Sequence, residues 1–215
     1  SPERSGERTH HRRSCAALRS SLRAYAVSSS TLFRQSGYDF FSVRIDTRAD
    51  APFLRALTPS ERETLVRQGC SGSIDEIRLA PYAARALANI VRTNFHGTTW
   101  ILAPDLSLRD TDVDGSVLCA ATVSRSRIVR SLLGDHVVVE SWSVVRDSVL
   151  APFRRWIQGA SGAARADVFG VTVEQSQVSA SVIWGGTDVG PFASVRPNCV
   201  VGPFVHVGSG SELKS

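Results

Sequence analysis

The chain has 215 residues, of which 42% are hydrophobic and 21% are charged, and its formal net charge is +5. A chain of this length and composition can bury a full core, so a disordered protein is excluded for most of its length. No apolar run approaches the roughly 20 residues of a membrane-spanning helix. We therefore predict a globular protein without a membrane partner.

The positive charge is concentrated near the beginning of the chain. Residues 1–48 hold nine arginines and four acidic residues, which accounts for the whole net charge, and the rest holds 16 basic and 16 acidic residues. Because the body of the chain is neutral, we predict no surface for a nucleic-acid backbone and no nucleic-acid partner.

The N-terminal segment is rich in Arg and Ser and has no acidic residue from Thr9 to Tyr38. This composition resembles an organellar transit segment, although a disordered tail gives the same composition. We predict a disordered leader over residues 1–49. The chain starts with Ser, contains no Met and ends within a repeated pattern, so we expect it to be a fragment of a longer protein.

The four cysteines and five histidines show no spacing typical of a metal or redox site. Cys119 and Cys199 lie in apolar patterns and are predicted to be buried thiols. Free thiols suit a reducing compartment, so we predict a cytoplasmic location, with an organelle as the alternative. His96, His136 and His206 are interpreted as turn or coil-surface residues, and no metal site is predicted.

A short helix is predicted within residues 50–105, which we interpret as a small α/β cap. Thr58 is a good N-cap residue, Pro59 suits the first turn, and Glu61 completes a capping box. Gly69 then marks the end of the helix.

An aliphatic residue recurs every six residues in the last part of the chain. The positions are Ile183, Val189, Val195, Val201, Val207 and Leu213. Six is neither the strand period nor the helix period. The spacing suits a coil of three short strands, in which one aliphatic per strand points into a narrow prism and covers its equivalent in the next coil.

Related phrases extend this pattern back to about residue 106. Each phrase places a serine before aliphatic residues, and these serines are Ser116, Ser131, Ser148 and Ser176. Leu133, Val139 and Val145 are again six residues apart. A Gly- and Ala-rich stretch at about 153–170 breaks the pattern and is interpreted as a loop. The predicted fold is mostly β, with a parallel β-helix over residues 106–215.

The phrases "VGPFASVRP" and "VHVGSGSELK", between Val189 and Lys214, resemble the acetyltransferase half of the bifunctional enzymes that make UDP-N-acetylglucosamine. Those enzymes belong to the hexapeptide-repeat superfamily. The resemblance implies a left-handed parallel β-helix, a homotrimer with sites between subunits, a sugar phosphate or nucleotide sugar as substrate, and acetyl-CoA as a cofactor. No cofactor is predicted from the residues themselves.

The resemblance also implies two binding residues, Arg196 and Lys214, which match the cations that contact the sugar phosphate in the family. They are 18 residues apart, about one coil, so we expect them to stack on one edge of the prism. Two fixed cations can clamp a phosphate dianion; the alternative is two solvated surface cations. The catalytic histidine of the family lies beyond the equivalent of Ser215, so no catalytic residue is assigned.

Two departures weaken the match to those enzymes. Ser209 and Gly210 replace an Asn-Phe pair, and the Gly-rich signature of the nucleotide-binding half is absent. The segment "FLRALTPSERETLVRQGC", followed by "NFHG", is instead similar to large uncharacterised β-helix proteins of bacteria and protists that are related to sugar-nucleotide enzymes.

We therefore interpret the chain as part of a transferase-like β-helix protein related to acyl or sugar-nucleotide chemistry. The alternative is a non-catalytic β-helix that binds or scaffolds, because a solenoid offers flat and repetitive faces. A zinc β-helix of the carbonic-anhydrase type is disfavoured, because the histidines do not recur at defined coil positions.

Overall fold

The computed structural model describes residues 38–40, 54–158 and 164–215, and short strands form three sheets along the sides of a prism, besides a separate antiparallel sheet. Neighbouring strands come from successive coils and pair in parallel, except that Arg55–Ala56 pairs antiparallel with Ile77–Leu79. The predicted fold class, a mostly β, left-handed parallel β-helix, is confirmed. Apart from residues 38–40, the predicted leader lies outside the described residues.

We call the three sheets face 1, face 2 and face 3, in the order in which the chain visits them from Thr99 onward. Face 1 consists of Arg55–Ala56, Ile77–Leu79, Thr99–Ile101, Val117–Leu118, Leu132–Leu133, Val149–Ala151, Val182–Trp184 and Val200–Val201. Face 2 consists of Ile90–Val91, Ser107–Arg109, Thr122–Ser124, Val138–Glu140, Thr172–Glu174, Asp188–Val189 and His206–Val207. Face 3 consists of Ser71–Gly72, Asn94–His96, Asp112–Asp114, Arg127–Val129, Val144–Arg146, Gln177–Ser179, Ser194–Val195 and Glu212–Leu213.

From Thr99 onward, each coil strand points an aliphatic side chain into the prism, as predicted from the sequence for the later coils. These side chains form one continuous core with the N-terminal helix, and the core members from the coils include Leu108, Val113, Leu118, Val123, Ile128, Leu133, Val139, Val145, Leu150, Val173, Val178, Ile183, Val189, Val195, Val201 and Val207. Burial of each aliphatic side chain contributes roughly 1.5–3 kcal/mol, so the column dominates the stability of the coils.

The spacing of the core residues differs along the axis. It is five residues from Leu108 to Leu133 and six from Ile183 onward. Val117 pairs with Leu132, 15 residues later, whereas Val182 pairs with Val200, 18 residues later. The prism therefore combines tight coils with wider coils.

The tight corners depend on one residue with positive φ, followed by a buried Ser or Thr. Arg125 and Arg130, for example, have φ of 45° and 44° and precede the buried Ser126 and Ser131. The hydroxyl of every buried serine except Ser181 accepts a hydrogen bond from a backbone N–H in the next coil. This produces two serine ladders, Ser116–Ser131–Ser148–Ser181 and Ser126–Ser143–Ser176. The ladders satisfy buried polar groups that would otherwise destabilise the coils.

The N-terminal end is covered by helix α1 (Pro59–Arg67) and by the 3₁₀ helices Ile74–Glu76 and Pro81–Asn89. Thr58 caps α1, and the predicted capping box with Glu61 is present. Parallel pairing already links Ile77–Leu79 to Thr99–Ile101. The coils thus continue without interruption across the predicted division between residues 50–105 and 106–215.

An antiparallel hairpin, Phe153–Gln158 and Ala164–Phe169, leaves the coils where the loop at 153–170 was predicted. Tyr38–Phe40 adds a third antiparallel strand to it. Phe204 packs edge-on against Phe153 and Phe169, with ring centroids 5.2 and 5.0 Å away. The base of the hairpin is thereby fixed to a corner of the wider coils. In the parts of the chain that the structure describes, no helix is both long and apolar enough to cross a bilayer.

Candidate functional site

Arg196 and Lys214 lie side by side at the end of two neighbouring strands of face 3. Arg196 follows Ser194–Val195, and Lys214 follows Glu212–Leu213. Ser194 pairs with Glu212, and the backbone N–H of Arg196 donates to the carbonyl oxygen of Leu213 over 3.0 Å. This register places the two cations on the same edge, one coil apart.

Glu212 joins the two cations into one cluster. The Lys214 ammonium lies 3.0 Å from Oε2 of Glu212, and the Arg196 guanidinium contacts Oε1. Hydrogen bonds from Lys214 and Arg196 lower the pKa of Glu212 below its ordinary value. The carboxylate is therefore charged at neutral pH, and the cluster carries a net charge of about +1, as expected for two cations and one anion.

The cluster can bind an anion because its donors are only partly used. The side chains of Arg196 and Lys214 are 58% and 67% exposed, so both reach solvent. An ammonium has three N–H donors and a guanidinium has five, and one carboxylate cannot occupy all of them. Glu212 limits the motion of both side chains and thus keeps the remaining donors close together.

Glu212 was missed in the sequence, although it stands two residues before Lys214. In a strand, residues two apart point to the same side. That alternation alone predicts that Glu212 and Lys214 both point away from the core. The contact with Arg196 required knowledge of the register between coils.

A second concave region lies between face 1 and face 2. This groove has a volume of about 520 Å³, and it is lined by Ala103, Asp105, Ala120, Thr122, Asp135, His136, Val137 and Val138. Asp135 accepts a hydrogen bond from the Ala120 N–H over 3.3 Å and pairs with Arg154 at 3.8 Å. The groove lies at another corner of the prism and in lower coils than Arg196 and Lys214, so the two regions form separate sites.

The three histidines within the described residues stand on the surface, as predicted. His136 is an exposed corner residue with φ of 59°, and His206 is exposed on face 2. His96 is exposed at the end of its strand, and its Nε2 lies 2.7 Å from the amide nitrogen of Asn94. Within the described residues, no cluster of three His, Cys, Asp or Glu side chains could hold a metal ion.

The predicted burial of Cys119 and Cys199 is confirmed, and Cys70 is also a buried free thiol. Burial, together with the charge of Asp135, raises the pKa of Cys119 to about 12. Burial also raises the pKa of Cys70. These two thiols are protonated at neutral pH and are therefore poor nucleophiles.

Comparisons with known proteins agree with the resemblance predicted from the sequence. No protein-family model matches the chain. The chain is 47% identical over 45 residues to the bifunctional protein GlmU of Enterococcus faecalis, which covers 21% of the chain and 10% of that protein. It is 26% identical over 147 residues to GlmU of Streptococcus suis, covering 67% of the chain and 28% of that protein.

A third GlmU, from Shouchella clausii, is 33% identical over 84 residues, covering 39% of the chain and 15% of that protein. The chain thus spans at most 28% of the length of these curated relatives. Together with the parallel coils, the matches show a β-helix protein that resembles the acetyltransferase domain of GlmU.

Proposed function

We propose that this β-helix, which resembles the acetyltransferase domain of GlmU, binds a sugar phosphate or a nucleotide sugar through Arg196 and Lys214. The observation that carries the proposal is the register of face 3, which stacks the two cations one coil apart around Glu212. The binding site is part of an acyl- or sugar-nucleotide transferase.

The chemistry of the cluster favours a dianion. A phosphate monoester brings two negative charges to a cluster whose net charge is +1, and charge-assisted hydrogen bonds to phosphate are among the stronger ones. The guanidinium presents a planar pair of donors, and the ammonium adds a point charge beside it. Because the cluster is exposed, salt weakens the binding.

Acetyl-CoA is the donor that the resemblance implies. The groove between face 1 and face 2 does not fit it, because the carboxylates of Asp105 and Asp135 line the groove and would repel the phosphates of CoA. We assign no base and no acyl-transfer step to the described residues. As in the family, the proposed assembly is a homotrimer, in which a neighbouring subunit completes the site. A cytoplasmic location remains part of the proposal.

Binding is tested by calorimetric titration of glucosamine 1-phosphate and N-acetylglucosamine 1-phosphate into the full chain. We expect Arg196→Ala combined with Lys214→Ala to abolish measurable binding. The matched control is Arg85→Ala, since Arg85 is an exposed cation on the 3₁₀ helix at the other end of the molecule. Equal binding by the double variant and the wild type would refute the phosphate site.

Turnover separates a transferase from a protein that only binds. Release of free thiol from acetyl-CoA in the presence of glucosamine 1-phosphate is measured with a thiol reagent. Because Cys70, Cys119 and Cys199 are buried, their own reaction with the reagent adds little to the signal. The transferase proposal predicts thiol release that is lost in the double variant. Sugar-phosphate binding without thiol release supports the non-catalytic alternative.

A further inference from the structure

Two large aromatic side chains lie exposed on the corner that leads from face 2 to face 3. Trp142 is 75% exposed and Phe192 is 72% exposed. The backbone N–H of Trp142 donates to Arg125 in the coil below, and that of Phe192 donates to Gln175 in the coil below. They therefore occupy equivalent corner positions, with the Gln175 coil between them. We call this pair the aromatic ridge.

The two ridge residues share the left-handed backbone of other corner residues, and they differ from those in presenting a large aromatic side chain to solvent. Trp142 and Phe192 have φ of 71° and 63°. This left-handed region suits Gly or Asn, and it costs a bulky residue roughly 1–2 kcal/mol. Phe204 also has positive φ, but its ring packs against Phe153 and Phe169. Among the described residues, no ring contact of this kind is made by Trp142 or Phe192.

The opposite edge of face 3 carries three cations at four successive positions. Four equivalent positions in successive coils lie at this edge. Arg146 and Ser179 are the last residues of their strands and are direct partners, whereas Arg196 and Lys214 directly follow theirs. Arg146 is exposed, and its side chain forms no ion pair with another described residue. We call these four positions the cation row.

A flat strip separates the ridge from the row. Its outward residues in the first three of these coils are Val144, Gln177 and Ser194, which are uncharged. Trp142 and Arg146 are four positions apart, so at about 3.3 Å per residue the strip is at most about 13 Å wide. Along the axis, two coil steps of about 4.8 Å place Trp142 and Phe192 roughly 10 Å apart.

We propose that this strip binds a linear acidic oligosaccharide that runs along the axis of the β-helix. The apolar faces of pyranose rings stack on exposed aromatic rings, and the separation of Trp142 and Phe192 corresponds to about two linked rings. The amide of Gln177 and the hydroxyls of Ser179 and Ser194 suit sugar hydroxyls. Arg146, Arg196 and Lys214 complement carboxylate or sulfate groups. The proposal shares Arg196 and Lys214 with the phosphate site, but it rests on Trp142, Phe192 and Arg146.

The experiment uses a hyaluronan hexasaccharide, in which glucuronate alternates with N-acetylglucosamine, and chitohexaose as the uncharged counterpart. Binding to the full chain is measured by calorimetry. We expect Trp142→Ala and Phe192→Ala each to weaken hyaluronan binding about tenfold, as for truncation of an aromatic anchor. Arg146→Ala weakens it several-fold, and chitohexaose binds at least tenfold more weakly than hyaluronan.

Tyr82→Ala and Arg85→Ala are the matched controls. Tyr82 is 65% exposed and, like Arg85, lies on the 3₁₀ helix at the N-terminal end. Neither control should change hyaluronan binding. Thermal unfolding verifies that all variants fold, which we expect because the altered side chains are exposed.

Three results would overturn the proposal. One is hyaluronan binding that does not change in Trp142→Ala and Phe192→Ala, as expected for simple attraction of a polyanion. Another is a chain that binds glucosamine 1-phosphate but not hyaluronan. That result would refute the oligosaccharide site and leave the proposed phosphate site standing. The third is a change of oligomeric state in sedimentation of the two ridge variants, which would assign the ridge to a contact between copies of the chain.

Discussion

The tight lower coils and the wide upper coils use the same inner column but differ at their corners. Between Leu108 and Leu133, five-residue spacing leaves little room at a corner, and buried serines fill it. From Ile183 onward, six-residue spacing adds a residue to each corner, and exposed aromatics such as Phe192 appear. Buried serines thus fill the corners of the tight coils, whereas the corner at Phe192 in the wide coils exposes its side chain.

One half-buried ion pair of the lower coils contrasts with the exposed cluster of the upper coils, although another lower-coil pair, Arg92 and Asp110, is also exposed. Arg130 and Asp147 are consecutive corner residues of the lower coils, and their side chains pair at 2.7 Å while only 25% and 29% exposed. Arg196, Glu212 and Lys214 in the upper coils are more exposed, and the two cations share a single acidic partner. An excess of cations in an exposed cluster is expected where an anionic ligand supplies the balancing charge.

The largest effect on stability is expected inside the column of the tight coils. Leu133→Ala should lower the free energy of unfolding by about 3 kcal/mol, because Leu133 is fully buried and the narrow prism cannot collapse around the cavity. Leu213→Ala is the matched change in the wide coils, where Leu213 is only partly buried, and should cost about 1 kcal/mol. Denaturant unfolding measures both, and equal losses would contradict a difference in packing between the two regions.

A smaller effect is expected from the serine ladder. Ser131→Ala should lower the free energy of unfolding by about 1–3 kcal/mol, because it removes the hydroxyl oxygen that accepts a hydrogen bond from the buried Ser148 N–H. Ser124→Ala serves as the control, since Ser124 points outward on face 2 and is only partly buried. If the two variants unfold at the same denaturant concentration, the ladders do not stabilise the tight coils.

The N-terminal helix gives the next effect. Thr58→Ala should lower the free energy of unfolding by about 1 kcal/mol, because it removes the hydroxyl oxygen that accepts a hydrogen bond from the Glu61 N–H. Ser60→Ala, two residues further on at an exposed position, should have little effect. The two variants are compared by denaturant unfolding, and a larger loss for Ser60→Ala would show that the cap does not act as described.

The smallest effect appears only in acid. Hydrogen bonding from Arg55, followed by backbone and side-chain hydrogen bonds from Thr58, lowers the pKa of Glu61 to about 2 from an ordinary value of 4.5. The contribution of Glu61 to stability is therefore full above pH 4.5 and is lost as the pH falls toward 2. The free energy of unfolding is measured between pH 6 and 2, and acid should lower it less in Glu61→Gln than in the wild type. If the free energies of the two proteins fall in parallel with pH, the ion pair between Arg55 and Glu61 does not contribute as described.

The sequence was most informative where a pattern repeats without interruption. The series from Ile183 to Leu213 predicted the inner column, and the capping box of Thr58 and Glu61 predicted the helix start. The serines that precede aliphatic residues were also visible, and Ser116, Ser131 and Ser148 belong to one ladder.

The five-residue spacing of the core residues was missed because it is not continuous along the chain. The spacing changes to six residues after Leu133 and returns to five after Val145, and the hairpin at 153–170 then interrupts it. The groove was missed because its lining comes from corners of several coils. The exposure of Trp142 and Phe192 was missed because a left-handed corner usually carries Gly or Asn, so a bulky residue gives no corner signal.

The central claim is that Arg196, Glu212 and Lys214 form one anion site, and the affinity of single variants for glucosamine 1-phosphate tests it most directly. We expect Arg196→Ala and Lys214→Ala each to weaken binding about tenfold, as for the loss of one charge-assisted hydrogen bond. Glu212→Gln should strengthen binding several-fold, because the phosphate then no longer competes with a carboxylate. Equal affinity of all three variants and the wild type, measured by calorimetry, would contradict the account.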